Sequence, residues 1–511
     1  MTILKKRVAV IGAGSAGLVC TKILSDFNST ESDIQFEVVC FEAGSQVGGQ
    51  WIYLPPDDKE GLGNIKDYGS IYESLTTNLT KYQMSYSHFP MFQSSEHSTS
   101  NYQDFSLFPS HAQISNVEKV EKYLQDYAKG FDLLSKIRFN TRVVEVQCQT
   151  IEGSTDPVYN CNWAVTSRPS REQSHEEKDG HELLTEQFDA VVACSGRYWL
   201  EYIPSFPGLE EYQGEIVHSH VYRRPDWFKG KRVLSVGYGA SGKQITEEIA
   251  KRGNPKTPVY HSVSPNHHAT TDDPNIKIVG DISEIIPGTK SVRFRSGEEE
   301  EFDVILFSTG YDYYFPYLKT SNWDIPNPGT NVSVEIVEKG KNIHREGSLD
   351  EWRNLDDISP SCLLKISHSP REVFPVYGHT VHMKYPTLCV LGLPYQINPF
   401  PLFEWQAVWM SHIWSGMTQL PTAEEMQKSV SLFRKETEAV QTERKSRIVS
   451  IHALDAQKQK DYYQFIQKQT GDAVQRPWSG KQRSHYKKEI VQAKARHVDV
   501  ENYKADQLSS Y

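Results

Sequence analysis

The fold is decided by the stretch Val8-Ala-Val-Ile-Gly12-Ala13-Gly14-Ser15-Ala16-Gly17. Its apolar residues are typical of a buried strand, its glycines follow the spacing G-x-G-x-x-G, and a helical pattern continues through Leu24. Such glycines permit a tight turn and let the backbone approach a pyrophosphate closely. The helix N-terminus then offers unpaired N–H groups and a partial positive charge to the phosphates. The stretch therefore predicts a turn that binds a dinucleotide.

A second strand, Phe36-Glu-Val-Val-Cys-Phe41, completes this β-α-β unit, and Glu42 follows it directly. A carboxylate at the end of the second strand can accept hydrogen bonds from ribose hydroxyls. We therefore expect Glu42 to bind the same dinucleotide as the glycine turn.

A second β-α-β unit follows, with Arg232-Val-Leu-Ser-Val236 as its first strand. The turn reads Gly237-Tyr-Gly239-Ala-Ser241-Gly242, and the second strand ends at His261-Ser262 without an acid. A carboxylate there would repel a 2′-phosphate, so its absence favours NADP over NAD. No arginine replaces the acid, so Ser262, His261 or a lysine from elsewhere would have to meet the phosphate.

Length and composition place the chain among intracellular enzymes. Its 511 residues predict two or more domains, and the net charge of −10 gives no support for binding nucleic acid. The seven cysteines form no C-x-x-C pair, which argues against a disulfide framework, a metal site and a dithiol redox pair. Without a signal sequence or an apolar run of ~18 residues, we expect a cytoplasmic protein with no membrane span.

The pattern predicts a doubly wound α/β architecture in which one dinucleotide-binding domain is inserted into another. Residues 1–203 and 316–420 are assigned to the outer domain, 204–315 to the inner domain and 421–511 to a mostly helical tail on the outside. The further predicted elements are strands at 137–146, 188–194, 302–307 and 388–392, a polar hairpin excursion at 147–187, a surface insertion at 320–375 and a helix at 402–415.

Two short segments lie between the two β-α-β units. Gly48-Gly49-Gln50-Trp51 suits a backbone that lies against a flat ring, because two glycines precede an aromatic residue. In Thr76-Thr77-Asn78, the asparagine could hydrogen-bond a flavin edge or a bound peroxide. Composition alone favours a turn or capping role for Asn78.

Together these motifs resemble the flavin-containing monooxygenases, in particular their soluble fungal and bacterial members. Tyr212-Gln-Gly-Glu-Ile-Val-His218-Ser-His-Val-Tyr222 is similar to the identifying signature of that family, with Tyr212 in place of phenylalanine. Ser308-Thr-Gly-Tyr311 resembles the linker that returns from the NADPH domain, and the segment from Pro399 to Gln406 resembles the one that closes the FAD domain. The resemblance covers about residues 6–420.

The resemblance implies FAD at the first turn and NADPH at the second. It also implies that hydride reduces the flavin, that oxygen adds at its C4a carbon, and that the hydroperoxide oxygenates a soft nucleophile such as a small amine, thiol or sulfide. Asn78 is implied as the residue nearest the flavin–oxygen adduct. The implied FAD contacts are Gly12, Ala13, Gly14, Ser15, Ala16, Gly17, Glu42, Gly49, Gln50, Trp51, Thr77, Asn78, Val143 and Gln406. The implied NADPH contacts are Gly237, Gly239, Ser241, Gly242, Lys243, Gln244 and Ser262.

Several alternatives stay open. A Baeyer–Villiger monooxygenase uses the same cofactors, but its signature ends in His-x-x-x-Trp-Pro, whereas Val221-Tyr222 stands here. A disulfide reductase would need the missing C-x-x-C pair, and a non-catalytic flavoprotein would not need an intact set of motifs. His218 is interpreted as a structural histidine rather than a general base. The partners are a small molecule and O2, and a homo-oligomer stays open.

Overall fold

The computed structural model describes residues 3–27, 32–55, 69–77, 79, 83–91, 117–170, 183–264, 267, 269–322, 353–368, 371–443 and 450–473. The α-helices in these ranges are α1 Ser15–Ser25, α2 Val117–Gly130, α3 Ala240–Arg252, α4 Pro399–Trp414, α5 Ala423–Glu443 and α6 Ala456–Thr470.

The strands of the described ranges are short and numerous. In chain order they are β1 Leu4–Ile11, β2 Ile34–Phe41, β3 Ile137–Arg138, β4 Thr141–Thr150, β5 Cys161–Pro169, β6 Leu184–Phe188, β7 Ala190–Ala193, β8 Leu200–Glu201, β9 Glu215–His218, β10 Arg232–Val236, β11 Lys256–Ser262, β12 Ile276–Val279, β13 Ile282–Ile285, β14 Ser291–Phe294, β15 Glu299–Glu301, β16 Val304–Phe307, β17 Tyr311–Asp312, β18 Thr320–Asn322, β19 Leu364–Ser367, β20 Glu372–Phe374, β21 Val376–Tyr377, β22 Val381–His382 and β23 Leu388–Val390.

The outer sheet has seven strands in the order β21-β22-β23-β7-β1-β2-β3. β1 lies at its centre and pairs in parallel with β2 and β7. The last four residues of β1 are buried, because α1 and α4 cover one face of the sheet and the antiparallel strands β4 and β5 pack on the other. α1 packs against α4, whose side chains are apolar nearly all round and almost all buried.

The inner sheet has five parallel strands in the order β12-β11-β10-β16-β9, all drawn from residues 215–307. The strands of the outer sheet come from both sides of that range. The inner domain is therefore inserted into the outer one, as the sequence predicts. The chain crosses between the domains at β8 and at β17, and these two crossings pair side by side in antiparallel fashion.

Two predicted strands are each divided in the structure. Residues 137–146 form β3 in the outer sheet and β4 in a separate antiparallel sheet with β5 and β6. Asn140 between them has φ +52°, a left-handed conformation that asparagine tolerates and that ends a strand. Residues 188–194 divide at Asp189, whose carboxylate accepts the backbone N–H of Arg7 at 2.8 Å.

The predicted hairpin excursion at 147–187 is an extension of that antiparallel sheet. β4 runs on through Thr150, β5 pairs with it in a nine-residue register, and β6 adds a third strand. Residues 171–182 of the predicted tip lie outside the described residues.

The prediction of a surface insertion at 320–375 is wrong for its second half. Residues 323–352 lie outside the described residues, and the described residues from 353 onward include several that are buried. Ile358, Leu364 and Phe374 are buried in the core that the outer sheet shares with β4 and β5. The charged residues of this stretch suggested a surface position. Glu372, however, is 0% exposed and is paired with Arg353 and Arg434.

The prediction that the tail lies on the outside is also wrong in part. α6 packs against α4, and Tyr462, Tyr463 and Ile466 belong to the main core of the outer domain. Residues 474–511 lie outside the described residues.

Candidate cofactor and active site

The two glycine turns have the same geometry. Each begins at a glycine with positive φ, +102° at Gly12 and +110° at Gly237. A Cβ added at Gly12 would lie 2.7 Å from the carbonyl oxygen of Cys194, and one at Gly237 would lie 2.5 Å from that of Ser308. Each turn is thus pressed against the end of a neighbouring strand, and both its conformation and its surroundings require glycine.

The helices that follow the turns begin without a side-chain cap. Gly14 and Gly239 are the N-cap residues, and neither α1 nor α3 has an acidic residue in its first turn. A Cβ at Gly239 would meet no atom within 4 Å, so the space above the second turn is open. Uncapped N–H groups at the positive end of a helix dipole suit a diphosphate. Both turns therefore fit the pyrophosphate of a dinucleotide.

Glu42 joins the first turn to the end of β2. Its Oε2 accepts the backbone N–H of Ala13 and its Oε1 accepts that of Gly44, each at 2.7 Å. Burial raises the pKa of Glu42, and hydrogen bonds from these N–H groups oppose that rise. A carboxylate has about four acceptor positions, so two N–H donors leave positions for ribose hydroxyls.

The segment Gly49–Trp51 forms a 3₁₀ turn that covers the first glycine turn. A Cβ at Gly49 would lie 2.9 Å from the Cα of Gly14, and the N–H of Gly48 donates to the carbonyl of Ala13 at 3.2 Å. Backbone therefore packs on backbone at this place, and the half-buried side chains of Gln50 and Trp51 flank the contact.

The second turn is surrounded by basic and aromatic side chains. The Lys243 ammonium lies 4.1 Å from the centre of the Tyr238 ring, and the His261 ring packs 5.4 Å from the same ring. His261 Nε2 lies 2.8 Å from the carbonyl oxygen of Gly237, and burial lowers its pKa. The Ser262 hydroxyl donates to the carbonyl of Gly280 at 2.9 Å, so its oxygen keeps acceptor capacity but its proton is engaged.

Other predicted contacts have protein partners in the structure. Gln406 is fully buried, where its Oε1 accepts the N–H of Gly392 at 2.9 Å and its Nε2 donates to the Tyr462 hydroxyl at 3.1 Å. The Val143 side chain is buried in the core beside an irregularity of β4. The contacts predicted between these residues and FAD stay predictions.

Thr77 is buried, and its hydroxyl donates to the carbonyl of Leu79 at 2.8 Å. Asn78, the predicted catalytic residue, lies outside the described residues. The described chain up to Thr77 runs against α3 of the inner domain, where Gln244 and Glu248 contact it. Gln244 was predicted to contact NADPH, but its side-chain amide is bonded to this segment.

His218 is 2% exposed and its ring packs 5.1 Å from that of Tyr311. Its Nδ1 accepts the backbone N–H of His220 at 3.1 Å. Burial lowers the pKa of His218 to about 3, so the ring is neutral near pH 7. A buried neutral ring beside the return linker fits the structural interpretation better than that of a general base.

Three residues at the contact between segment 69–77 and the inner domain were not predicted from the sequence: Tyr72, Glu248 and Arg223. A signal for Glu248 was present, because it follows Gln244 by four residues on α3 and therefore lies on the same helix face. Arg223 follows the signature directly, but nothing in the sequence indicated that this arginine would be only 1% exposed.

Comparison with known proteins decides the family. A family profile described as flavin-binding monooxygenase-like matches residues 5–257. The flavin-containing monooxygenase FMO GS-OX-like 2 of Arabidopsis thaliana is 32% identical over 440 residues, which are 85% of this chain and 79% of the relative. The chain belongs to the flavin-containing monooxygenases.

Solved structures agree on the fold of this flavin-containing monooxygenase. S-allyl-L-cysteine S-oxygenase from Allium sativum matches with a TM-score of 0.69 at 24% identity, covering 100% of this chain and 98% of that one. Tmm from Pelagibacter sp. strain HTCC7211 matches with a TM-score of 0.64 at 19% identity, covering 96% and 91%. The predicted family and fold class are confirmed.

This flavin-containing monooxygenase uses FAD and NADPH, the cofactors of its family. The uncapped helix starts and the open space at Gly239 fit that pair of dinucleotides. None of the helices in the described part of the chain is long and apolar enough to cross a bilayer.

Proposed function

We propose that this flavin-containing monooxygenase oxygenates a nitrogen or sulfur atom of a small soft nucleophile, with NADPH as the source of hydride. The observation that carries the proposal is the repeated turn geometry at Gly12 and Gly237, which provides two dinucleotide sites within one chain. Bound FAD, reduced by hydride from NADPH, would activate O2 for transfer of one oxygen atom to the substrate, and the chain's own residues would bind and orient the cofactors and exclude water.

In this proposal the first turn and Glu42 hold FAD, and Gly49–Trp51 packs over the turn. The second turn holds NADPH, with Lys243 and Ser262 at the end that receives the 2′-phosphate. His261 stays neutral there because burial lowers its pKa, so Lys243 is the cation that favours the phosphate.

Asn78 is proposed as the residue that hydrogen-bonds the reactive edge of the flavin. A side-chain amide both donates and accepts hydrogen bonds and does not titrate. It can therefore stabilise a polar oxygen species without itself consuming a proton. No nucleophilic side chain is required, because the oxidising equivalent belongs to the cofactor.

The substrate class and a cytoplasmic location are further parts of the proposal. Sulfides stand first among the candidate substrates, because the Allium sativum protein with the same fold is an S-oxygenase. Amines and thiols follow, and ketones represent the Baeyer–Villiger alternative.

Two measurements test the proposal in sequence. NADPH added to the FAD-loaded enzyme without oxygen should bleach the flavin absorbance, and a protein that keeps its yellow colour would overturn the enzyme proposal. NADPH and oxygen consumption are then measured with sulfides, amines, thiols and ketones, and the products are identified. Formation of an S-oxide or N-oxide supports the proposal, lactone or ester formation replaces it with ketone oxygenation, and peroxide alone with every substrate makes the protein an NADPH oxidase.

A further inference from the structure

The segment 69–77 belongs by sequence to the outer domain, yet it is bound by residues of the inner domain. Arg223 Nη2 donates to the carbonyl of Gly69 at 2.8 Å, and the carbonyl of Arg223 accepts the N–H of Glu73 at 3.0 Å. Tyr72 is 2% exposed and lies in the core of the inner domain, its ring 5.3 Å from that of Tyr222. The start of the segment is therefore anchored on the family signature.

Gln244 on α3 binds the middle of the segment with both ends of its amide. Its Oε1 accepts the Tyr72 hydroxyl at 2.8 Å. Its Nε2 donates to the carbonyl of Ser74 at 3.1 Å and lies 3.2 Å from the Thr76 hydroxyl. One side chain thus contacts three alternate residues of the segment, Tyr72, Ser74 and Thr76.

Glu248 lies one helical turn further along α3 and is 8% exposed. Its Oε2 accepts the Tyr222 hydroxyl at 2.9 Å and also the hydroxyl of Ser74, and its Oε1 lies 3.0 Å from an Arg252 nitrogen. A buried carboxylate is costly unless hydrogen bonds compensate its lost hydration. The Ser74 hydroxyl is one of those bonds, so the segment and Glu248 stabilise each other.

We infer that Gln244 and Glu248 are positioning residues that tie segment 69–77 to α3, the helix whose N-terminus carries the second glycine turn. The inference rests on the proposed function, because this segment leads directly into Asn78. Binding of NADP at the start of α3 and ordering of the segment are then linked, and linkage is reciprocal. Nucleotide binding orders the segment, and release of the segment weakens nucleotide binding.

The test measures backbone amide exchange of residues 69–77 in the FAD-loaded enzyme, with and without NADP⁺, together with the Kd for NADP⁺. Hydrogen bonds to a charged group contribute more to stability than those between neutral groups. Glu248→Gln should therefore speed amide exchange of the segment about 10-fold and raise the Kd for NADP⁺ about 10-fold. NADP⁺ should slow exchange in the wild type and slow it less in the variant.

Glu247→Gln is the charge-matched control, because Glu247 is the neighbouring residue on α3, is 58% exposed and is ion-paired with Lys251. It should leave exchange of the segment unchanged, and its Kd for NADP⁺ should stay well below that of Glu248→Gln. If Glu248→Gln fails to fold, Ser74→Ala removes the same bond from the other side and should give the same two changes. Unchanged exchange and an unchanged Kd in a folded variant would overturn the inference. Neither measurement needs turnover, so a failure to oxygenate any substrate would count against the proposed function alone.

Discussion

The carboxylate of Glu42 accepts the backbone N–H of Ala13 at 2.7 Å, which joins the end of β2 to the middle of the first glycine turn. One side chain therefore shapes the first glycine turn and keeps acceptor positions that we propose receive the ribose hydroxyls of FAD. Glu42 and Ala13 are thus adjacent in space, although 29 positions separate them in the chain.

Replacement of Glu42 by alanine should weaken FAD binding by roughly 10- to 100-fold, because it removes charge-assisted hydrogen bonds to the turn and to the ribose. The measurement is the Kd of FAD for the apoprotein, followed by flavin fluorescence. Glu37→Ala on the same strand is the control, because Glu37 is 56% exposed and faces Arg7. Equal FAD affinity in Glu42→Ala and Glu37→Ala would contradict the assignment.

The two glycines of the second turn should respond differently to alanine. A Cβ at Gly242 would overlap the carbonyl oxygen of Gly237, so Gly242→Ala should unfold or strongly destabilise the inner domain. Gly239 has φ −72° and open space around it, so Gly239→Ala should fold, keep FAD and keep its thermal midpoint. Its new methyl group should occupy the space proposed for the pyrophosphate, so NADPH binding should fall at least about 10-fold. Normal NADPH affinity in a folded Gly239→Ala protein would show that the nucleotide binds elsewhere.

Ser262→Asp should reverse the preference between the two nicotinamide dinucleotides. The new carboxylate at the end of β11 repels a 2′-phosphate and can accept hydrogen bonds from a free 2′-hydroxyl. We expect kcat/KM for NADPH to fall by about 100-fold and that for NADH to rise or stay level. Ser262→Asn, of similar size and uncharged, separates charge from shape. An equal loss with both nucleotides in Ser262→Asp would point to a disturbed bond with Gly280 instead.

Acid should destabilise the fold through its buried neutral histidines, of which His382 is the clearest. Burial lowers the pKa of His382 from 6.5 to about 4. Above pH 6.5 the ring is neutral in both the folded and the unfolded states, so its contribution to stability is fully present. As the pH falls from 6.5 towards 4, the unfolded chain takes up a proton that the folded ring excludes, and the free energy of unfolding falls by about 1.4 kcal/mol per pH unit.

Urea unfolding at pH 7 and pH 5 checks this expectation. His382→Gln should be less stable than the wild type at pH 7, because Nδ1 and Nε2 both have backbone partners. Between pH 7 and pH 5, however, its free energy of unfolding should fall less steeply than that of the wild type. The reason is that unfolding of the variant takes up about one proton fewer. The exposed His267→Gln should keep the wild-type slope. Identical slopes in all three proteins would exclude His382 as the source.

The sequence was sufficient for both β-α-β units, because an apolar strand, three spaced glycines and an amphipathic helix are local features. It was also sufficient to predict the position of Glu42, because this residue directly follows the last apolar residue of β2. Local patterns did not locate the break at Asn140, because polar and apolar residues alternate from Ile137 across it as far as Arg142-Val143.

The second half of the predicted insertion could not be recognised from local pattern. Charged residues normally indicate surface, but Glu372 is buried with Arg353 and Arg434, which stand 19 and 62 positions away. Its charge is compensated only by partners that the fold brings together. The role of Gln244 was hidden for the same reason, because the glycine turn next to it suggested a nucleotide contact and its actual partners come from residues 72–76.

The paired crossings at β8 and β17 have a consequence for recombination. Tyr311 stands opposite Glu201, so the chain enters and leaves the inner domain through neighbouring strands, about 5 Å apart. A gene cassette that encodes the inner domain therefore has its two seams side by side in the fold. Exchanging that cassette between relatives should leave the strand order of the outer sheet intact, and compatibility would then depend on the face of α3 that meets residues 72–76.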